Sequence, residues 1–371
     1  MPAEAPLLLH AFSTFAVGGP QVRFAAIANR LGPRLRHAVL AMDGDLSARA
    51  LLDPALAVRF PAIAVRKGDT LGNLQHFVGA LRGLRPDRLV TYNWGAIEWA
   101  LANALVRRPH VHIEDGFGPE ERAHQMPRRV LARRLLLRRA TVVLPSRTLE
   151  RIAAGVWRLP RQRLHYLPNG IDLSRFRPAA AAAAREVPVI GTVAALRPEK
   201  NLGRLLHAVA AVRRSRPVRL AIVGDGPERA ALAALAAGLG IAGDVRFAGH
   251  QADPAAAYAG FDVFAMSSDT EQMPIALLEA MASGLAVAAT DVGDVAAMLA
   301  EANRPYVVPP EAAALAAALA ALLDRPAQRQ ALGAANRARA ARDFDQELMF
   351  RDYAALFGAA DPGSGRSDMN G

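Results

Sequence analysis

The feature that most restricts the fold of this chain is a rhythm. Short apolar runs of strand length alternate with helix-length stretches along nearly all of its 371 residues. Residues 7–12, 37–41, 88–92, 110–113, 141–144 and 164–167 read as buried strands. Between them lie helical stretches such as 20–31, 71–83, 94–106 and 146–155. The pattern breaks at Pro178 and the alanine run 179–184, then resumes with strands at 187–193, 218–223, 245–247, 262–266 and 285–289. Strand–helix–strand repetition predicts parallel sheets covered by helices on both faces. The class is therefore α/β, with two Rossmann-like domains whose sheets face a central cleft. Ligands of such sheets gather at the carboxyl ends of the strands.

The length suits two domains, each with its own core. The divisions expected are a first domain over 1–178, a second over 185–345, a short helix over 346–358 packing back on the first domain, and a polar tail over 359–371. There is no cysteine, which removes disulfides, thiolate metal sites and cysteine nucleophiles together. No signal core is visible near Met1, and the longest purely apolar run, 312–323, is too short and alanine-rich to span a bilayer. A cytoplasmic protein is expected. Its charge is uneven: residues 1–178 carry 27 Lys/Arg against 13 Asp/Glu, and residues 179–371 carry 18 against 21. A basic half suits an anionic surface or substrate; an arginine-rich composition with no partner in view is the competing reading.

The strongest local signal is Glu271-Gln-Met-Pro-Ile-Ala-Leu-Leu-Glu279, running on into Ala-Met-Ala-Ser-Gly. Two carboxylates eight positions apart bracket a loop with Pro274 at a helix start. Glu271 falls just before the helix and Glu279 on its second turn. Free backbone N–H groups and the positive dipole end of a helix suit a phosphate. One carboxylate can then reach a sugar hydroxyl and the other a ribose hydroxyl. A helix with one N-terminal acid and one buried glutamate gives the same spacing. Upstream, however, stand Leu167-Pro-Asn-Gly-Ile-Asp172, Leu196-Arg-Pro-Glu-Lys-Asn-Leu202, Ile222-Val-Gly-Asp-Gly-Pro-Glu228 and Phe247-Ala-Gly249.

In order and spacing these elements resemble the GT-B glycosyltransferases of family 4, a retaining family, from about Phe15 to Asp294. The resemblance implies that 1–178 is the acceptor-side domain and 185–345 the donor-binding one, that Lys200 contacts donor phosphates, that Glu271 faces the sugar and that Glu279 holds the ribose. It further implies that the backbone of Gln272, Met273, Pro274 and Ile275 lines the phosphate. A cation at a departing diphosphate would neutralise growing charge. Three departures stand out. Ala195 occupies the place of an arginine usual in the family, with Arg197 two positions on. Gln272 replaces a loop glycine that normally permits close approach. In the first half, Asp115 takes the place of a usual histidine, in His110-Val-His112-Ile-Glu-Asp115-Gly116. His110 and His112 alternate on a strand and so share a face. His112 and Asp115 are the expected cleft residues of the first half, against a packed or solvated histidine as the alternative. Gly18 and Gly19, between the first strand and its helix, are expected to let backbone approach the donor, where a plain strand-to-helix turn is the alternative.

Asp43-Gly-Asp45 reads as a turn and not as a metal-binding pair, so no metal and no cofactor is expected beyond the nucleotide sugar itself. Residues 122–139 hold seven arginines and no acid. Their pairs recur every five positions and so spiral around a helix instead of forming one stripe. The activity expected is metal-independent, retaining transfer of a sugar from a UDP- or GDP-linked donor to a saccharide or lipid-linked saccharide, for cell-surface polysaccharide or glycolipid. Peripheral contact with an anionic inner membrane face is part of that expectation. The alternatives are a GT-B-fold epimerase or phosphorylase, or a nucleic-acid binder suggested by a pI near 11. The last lacks interleaved basic and aromatic residues, so no nucleic-acid partner is expected.

Overall fold

The structure is a computed structural model that describes residues 5–66, 68–117, 121, 124–179 and 185–359. The chain divides into two units, one formed by Met1–Pro168 with Glu347–Gly371, the other by Asn169–Gln346.

The first unit is built on seven strands: β1 (Leu7–Phe12), β2 (Arg36–Ala41), β3 (Val58–Arg59), β4 (Arg88–Tyr92), β5 (His110–Ile113), β6 (Thr141–Leu144) and β7 (Leu164–Tyr166). All pair in parallel, in the order β3-β2-β1-β4-β5-β6-β7. Strand order reverses between β1 and β4, which opens the crevice at their carboxyl ends. β1 has no exposed residue along its length, as an apolar run buried on both faces should. One face packs Leu8, Phe12 and Val90 against Phe24 and Ile27 of the helix Gly19–Leu31. The same cluster takes in Met349, Phe350, Tyr353 and Phe357 of the last helix, Gln346–Phe357.

The second unit carries β8 (Val189–Val193), β9 (Arg219–Val223), β10 (Val245–Gly249), β11 (Val263–Met266), β12 (Val287–Thr290) and β13 (Val307–Val308). These also pair in parallel, in the order β10-β9-β8-β11-β12-β13, reversing between β8 and β11. Helices Leu202–Arg213 and Ala312–Asp324 bury Leu205, Val209, Leu315 and Leu319 on one face, and helix Ile275–Ala282 buries Leu277, Leu278 and Met281 on the other.

The division between the units falls ten residues earlier than the sequence suggested, after Pro168 instead of Pro178. The reason is packing: Ile171 bridges to Asp345, and Phe176 is buried in the second unit's core beside Tyr258. The alanine run expected as a connector lies largely outside the described residues, as does the tail from 360 on.

Candidate functional site

The carboxyl ends of β8, β9 and β11 and the start of helix Ile275–Ala282 surround a cavity of about 480 Å³ in the second unit. Two glycines let its walls close up. Gly224, at φ +136°, follows β9, where a Cβ would sit 1.9 Å from the carbonyl oxygen of Ala194. Gly293, at φ +55°, leaves the same clearance for the carbonyl of Glu271. A side chain at either place would push the loops apart.

Lys200 ends a short turn, Pro198–Lys200, and its Nζ lies 2.5 Å from Glu271 Oε1. Ser268 Oγ donates to the same oxygen at 2.7 Å. The lysine is a quarter exposed and the glutamate about a tenth, so the pair is partly shielded but open to the cavity. A second set of bonds fixes the two loops that carry them. Asp269 Oδ1 accepts from Asn201 Nδ2 at 3.0 Å and from Arg204 at 2.7 Å. Arg204 also donates to the Ser267 carbonyl at 2.7 Å, and Ser267 Oγ donates to the Lys200 carbonyl at 3.0 Å. Lys200 and Glu271, 71 positions apart in the chain, are thus held together by a polar lattice and not by their own attraction alone.

Glu279 is the second acid, on the second turn of helix Ile275–Ala282. It lines the same cavity, and its Oε2 accepts from Tyr258 Oη at 2.6 Å. Burial raises its carboxyl to about 7, partly offset by the tyrosine hydrogen bond. The helix starts without a side-chain cap, leaving its first N–H groups for another partner. Met273, Pro274 and Ile275 line the cavity, whereas Gln272 does not. Pro274 has no N–H to offer, so the run of amide donors expected across 272–275 is interrupted there. Arg197, the expected substitute for the missing arginine, is exposed and does not reach the cavity; Ala195 does line it. Lys200 is the single Lys or Arg side chain in its wall among the described residues.

The candidate residues of the first unit lie at the carboxyl ends of its strands. Gly18 and Gly19 open the helix Gly19–Leu31, with no side-chain cap. Asp115 follows β5 and is gripped by Arg23 through two bonds of 2.5 and 2.8 Å, while its N–H donates to Asn93 Oδ1 at 2.7 Å. A carboxylate so paired is a fixed acceptor, not a free base. His112 is different from what the sequence led us to expect. It has no exposed surface; Nδ1 lies 2.8 Å from Thr91 Oγ1 and Nε2 3.5 Å from Glu114 Oε2. His110 meets the same threonine at 2.8 Å, so the shared face is real, but it is turned into the protein. His112 therefore packs the sheet and presents nothing to a ligand.

The basic run 122–139 is only in part a surface feature: Arg128, Arg138 and Arg139 are exposed. Arg133 has no exposed surface and pairs with Glu114 at 3.1 Å and with both Glu121 oxygens at 3.2 Å. Arg122 lies outside the described residues. The residues that sequence reasoning missed are Tyr258, Ser268, Asp269 and Arg204. Only the polar triplet Ser267-Ser268-Asp269 at the end of an apolar strand carried a signal of its own. Among the described residues no three His, Asp or Glu side chains gather as metal ligands would.

Two family models match adjoining parts of the chain, Glycosyltransferase Family 4 over residues 17–175 and Glycosyl transferases group 1 over residues 176–339. A GDP-mannose-dependent alpha-mannosyltransferase of Mycobacterium tuberculosis is 36% identical over 160 residues, 40% of each chain. A GDP-mannose-dependent monoacylated alpha-(1-6)-phosphatidylinositol monomannoside mannosyltransferase of Corynebacterium glutamicum is 32% identical over 204 residues, 50% of this chain and 53% of that one. The chain spans about half the length, or less, of these curated relatives. The crystal structure of Anabaena Alr3699/HepE in complex with UDP superposes with a TM-score of 0.79 at 20% identity, covering 95% of this chain and 99% of that one.

Proposed function

Since this chain belongs to the group 1 glycosyltransferases of the GT-B fold, we propose that it moves a hexosyl group from a nucleotide sugar to a saccharide or lipid-linked saccharide, with retention and without a divalent ion. The observation that carries this reading is the Lys200–Glu271–Ser268 contact at the mouth of an uncapped helix, with Glu279 in the same wall. A donor diphosphate would take the Lys200 ammonium and the helix amides as its counter-charge. Glu271, released from the lysine, would accept from sugar hydroxyls, and Glu279 from the ribose. In the transfer, the bond from the anomeric carbon to the donor phosphate oxygen breaks and a bond to the acceptor oxygen forms on the same face. The acceptor proton passes to the departing phosphate oxygen.

The GDP-mannose of the two mannosyltransferases and the UDP of the Anabaena complex define the donors to compare. For the acceptor, the phosphatidylinositol mannoside of the Corynebacterium relative and the basic first half favour a lipid-linked, anionic substrate. We place the protein in the cytoplasm, at the inner membrane face; among the described residues no helix is long and apolar enough to cross a membrane. Melting-temperature shifts with UDP, GDP, UDP-glucose and GDP-mannose, each with and without EDTA, test the donor site. A shift with one nucleotide series that survives EDTA supports the reading. No shift with any of the four, or one abolished by EDTA and restored by Mn²⁺, overturns the donor site or its metal independence respectively.

A further inference from the structure

Asn93 follows β4 with φ +54° and ψ −177°, a backbone region nearly closed to any residue but glycine. The strain sits where the strand order of the first unit reverses, between β1 and β4. The loops there are pressed together: a Cβ on Gly95 would lie 2.5 Å from the Cβ of Ser13, which follows β1. Asn93 makes two bonds to the segment at the end of β5. Its N–H donates to the Ile113 carbonyl at 2.8 Å, and its Oδ1 accepts from the Asp115 N–H at 2.7 Å. The carboxylate of Asp115 is held separately, by two Arg23 nitrogens at 2.5 and 2.8 Å. Arg23 is 7% exposed, and burial works against its charge; Asp115 more than offsets this and holds the guanidinium above its usual range. Asp115 is thus clamped at its backbone and at its side chain, and 17% of that side chain remains open.

An arginine fork that only fastened the helix Gly19–Leu31 to the sheet would need no strained residue in the loop after β4. Such strain persists where the surroundings over-determine one geometry, and the geometry determined here is that of one carboxylate. A carboxylate has about four lone-pair directions; a bidentate arginine takes two and leaves two for other donors. Because Arg23 already matches its charge, Asp115 has little pull on a further cation, and it gives a phosphate no counter-charge. Hydroxyl groups suit it. They are neutral donors, and a sugar or cyclitol ring presents them on neighbouring carbons.

We propose that Asp115 accepts hydrogen bonds from ring hydroxyls of a sugar during transfer, and that Arg23 and Asn93 are the residues that position it. The inference rests on the transferase reading and adds to it the clamp and the chemistry that the clamp receives. The ring is that of the donor hexosyl group or of the acceptor, and deoxy analogues separate the two. Wild type, Arg23→Lys, Arg23→Met and Asn93→Gly are assayed with UDP-glucose and GDP-mannose, transferring to octyl mannoside or to water. Calorimetric affinity for UDP and GDP, whose site we place in the second unit, should stay within about two-fold of wild type throughout. The value of kcat/KM should fall roughly ten-fold in Arg23→Lys and Asn93→Gly, and about a hundred-fold in Arg23→Met, which keeps the reach of the side chain but neither its charge nor its fork. Glycine relaxes the strained backbone, so Asn93→Gly should lose this activity without melting earlier than wild type. The deciding comparison is a cycle with monodeoxy donors and monodeoxy mannosides. For the sugar that lacks the hydroxyl bound by Asp115, wild type should drop towards the variants while the variants lose little more. A missing hydroxyl on the donor or on the mannoside then assigns the ring. Losses that are the same for every analogue would show a clamp that only supports the fold, and would overturn the proposal. So would turnover within about two-fold of wild type in Arg23→Met. A wild type that turns over neither donor overturns the transferase reading, and this inference with it, before any variant is made.

Discussion

Tyr258→Phe isolates the group that sets the charge of the second acid. The ring of Tyr258 is fully buried, edge-on to Phe176 and Phe261 and tilted against Phe264, and phenylalanine retains all of those contacts. What it loses is the hydroxyl that donates to Glu279 Oε2 at 2.6 Å. Burial, with Glu279 beside it, holds the tyrosine pKa well above its usual value, so it remains a donor across the working range of pH. A hydrogen bond to a charged acceptor contributes about 1.5–3 kcal/mol, and about 1.4 kcal/mol corresponds to one pH unit. Without it, burial of Glu279 is opposed only by the charge of Arg175, and its midpoint should climb from about 7 by roughly one to two pH units.

The assay is calorimetric affinity for UDP and GDP as a function of pH. A carboxylate accepts from both ribose hydroxyls, whereas a protonated acid is a poorer acceptor, so wild-type affinity should rise as pH passes through about 7. In Tyr258→Phe the rise should move to higher pH by that margin, with affinity at neutral pH down by roughly ten-fold and the two proteins converging in alkali. An unchanged midpoint would refute the claim that Tyr258 governs Glu279. Affinity without any pH dependence near neutrality would refute the placement of Glu279 against the ribose.

Lys200→Ala should lower kcat/KM by about 10²–10³, the cost of losing one preorganised charge at the departing diphosphate, and near-wild-type turnover would show that the charge is met elsewhere. Arg133→Ala should cost about 3–5 kcal/mol in urea unfolding, because Glu114 would lose its arginine in a fully buried place and Glu121 would keep Arg129 alone; a change within the noise would refute the view that Arg133 holds these acids in the core. Acid should affect the two units in opposite directions. Burial lowers His37 to about 4, and burial with His112 lowers His110 to about 3, so protonating the unfolded chain below pH 6.5 costs the first unit up to about 4 kcal/mol by pH 5. Glu279, raised from 4.5 to about 7, binds its proton first in the folded state, so the second unit gains about 2–3 kcal/mol over the same fall in pH. Scanning calorimetry at pH 8 and pH 5 should therefore separate the two transitions, and their moving down together would contradict the assignment.

The sheets were legible because their strands are nearly pure apolar runs with sharp ends. Residues 141–144 sit between Ala140 and Pro145, and strand β6 has those bounds. The two-residue strands β3 and β13 carry too few side chains to show a period. The boundary between the units was misplaced because composition marks where a chain is simple, not where it crosses. The crossing is set by Ile171 and Phe176, whose burial partners come from the far end of the second unit. Strand alternation told that His110 and His112 share a face but could not tell that the face is interior, since depth depends on which elements cover the sheet. The helix Pro127–Leu136 misled for the same reason. A count of arginines carries no information on which of them two glutamates and three aromatic rings will pull inward.

The site itself divides along a similar line. The motif order was enough to bring Lys200, Glu271 and Glu279 to one cavity, because short motifs at strand ends converge wherever a parallel sheet reverses its order. It was not enough to say what the acids are. Glu271 and Glu279 are the same residue type eight positions apart, yet one meets an ammonium and a serine hydroxyl and the other a phenol in an apolar wall. Glu271 is joined to Lys200, so any ligand of that carboxylate must displace the ammonium. Burial raises Glu279 to about 7, so any ligand of that carboxylate competes with a proton. The two halves of one motif thus place different conditions on a ligand, electrostatic for one and pH for the other. Each acid also meets a residue outside the motif, Ser268 for Glu271 and Tyr258 for Glu279, whose position follows from the fold and from no spacing in the sequence.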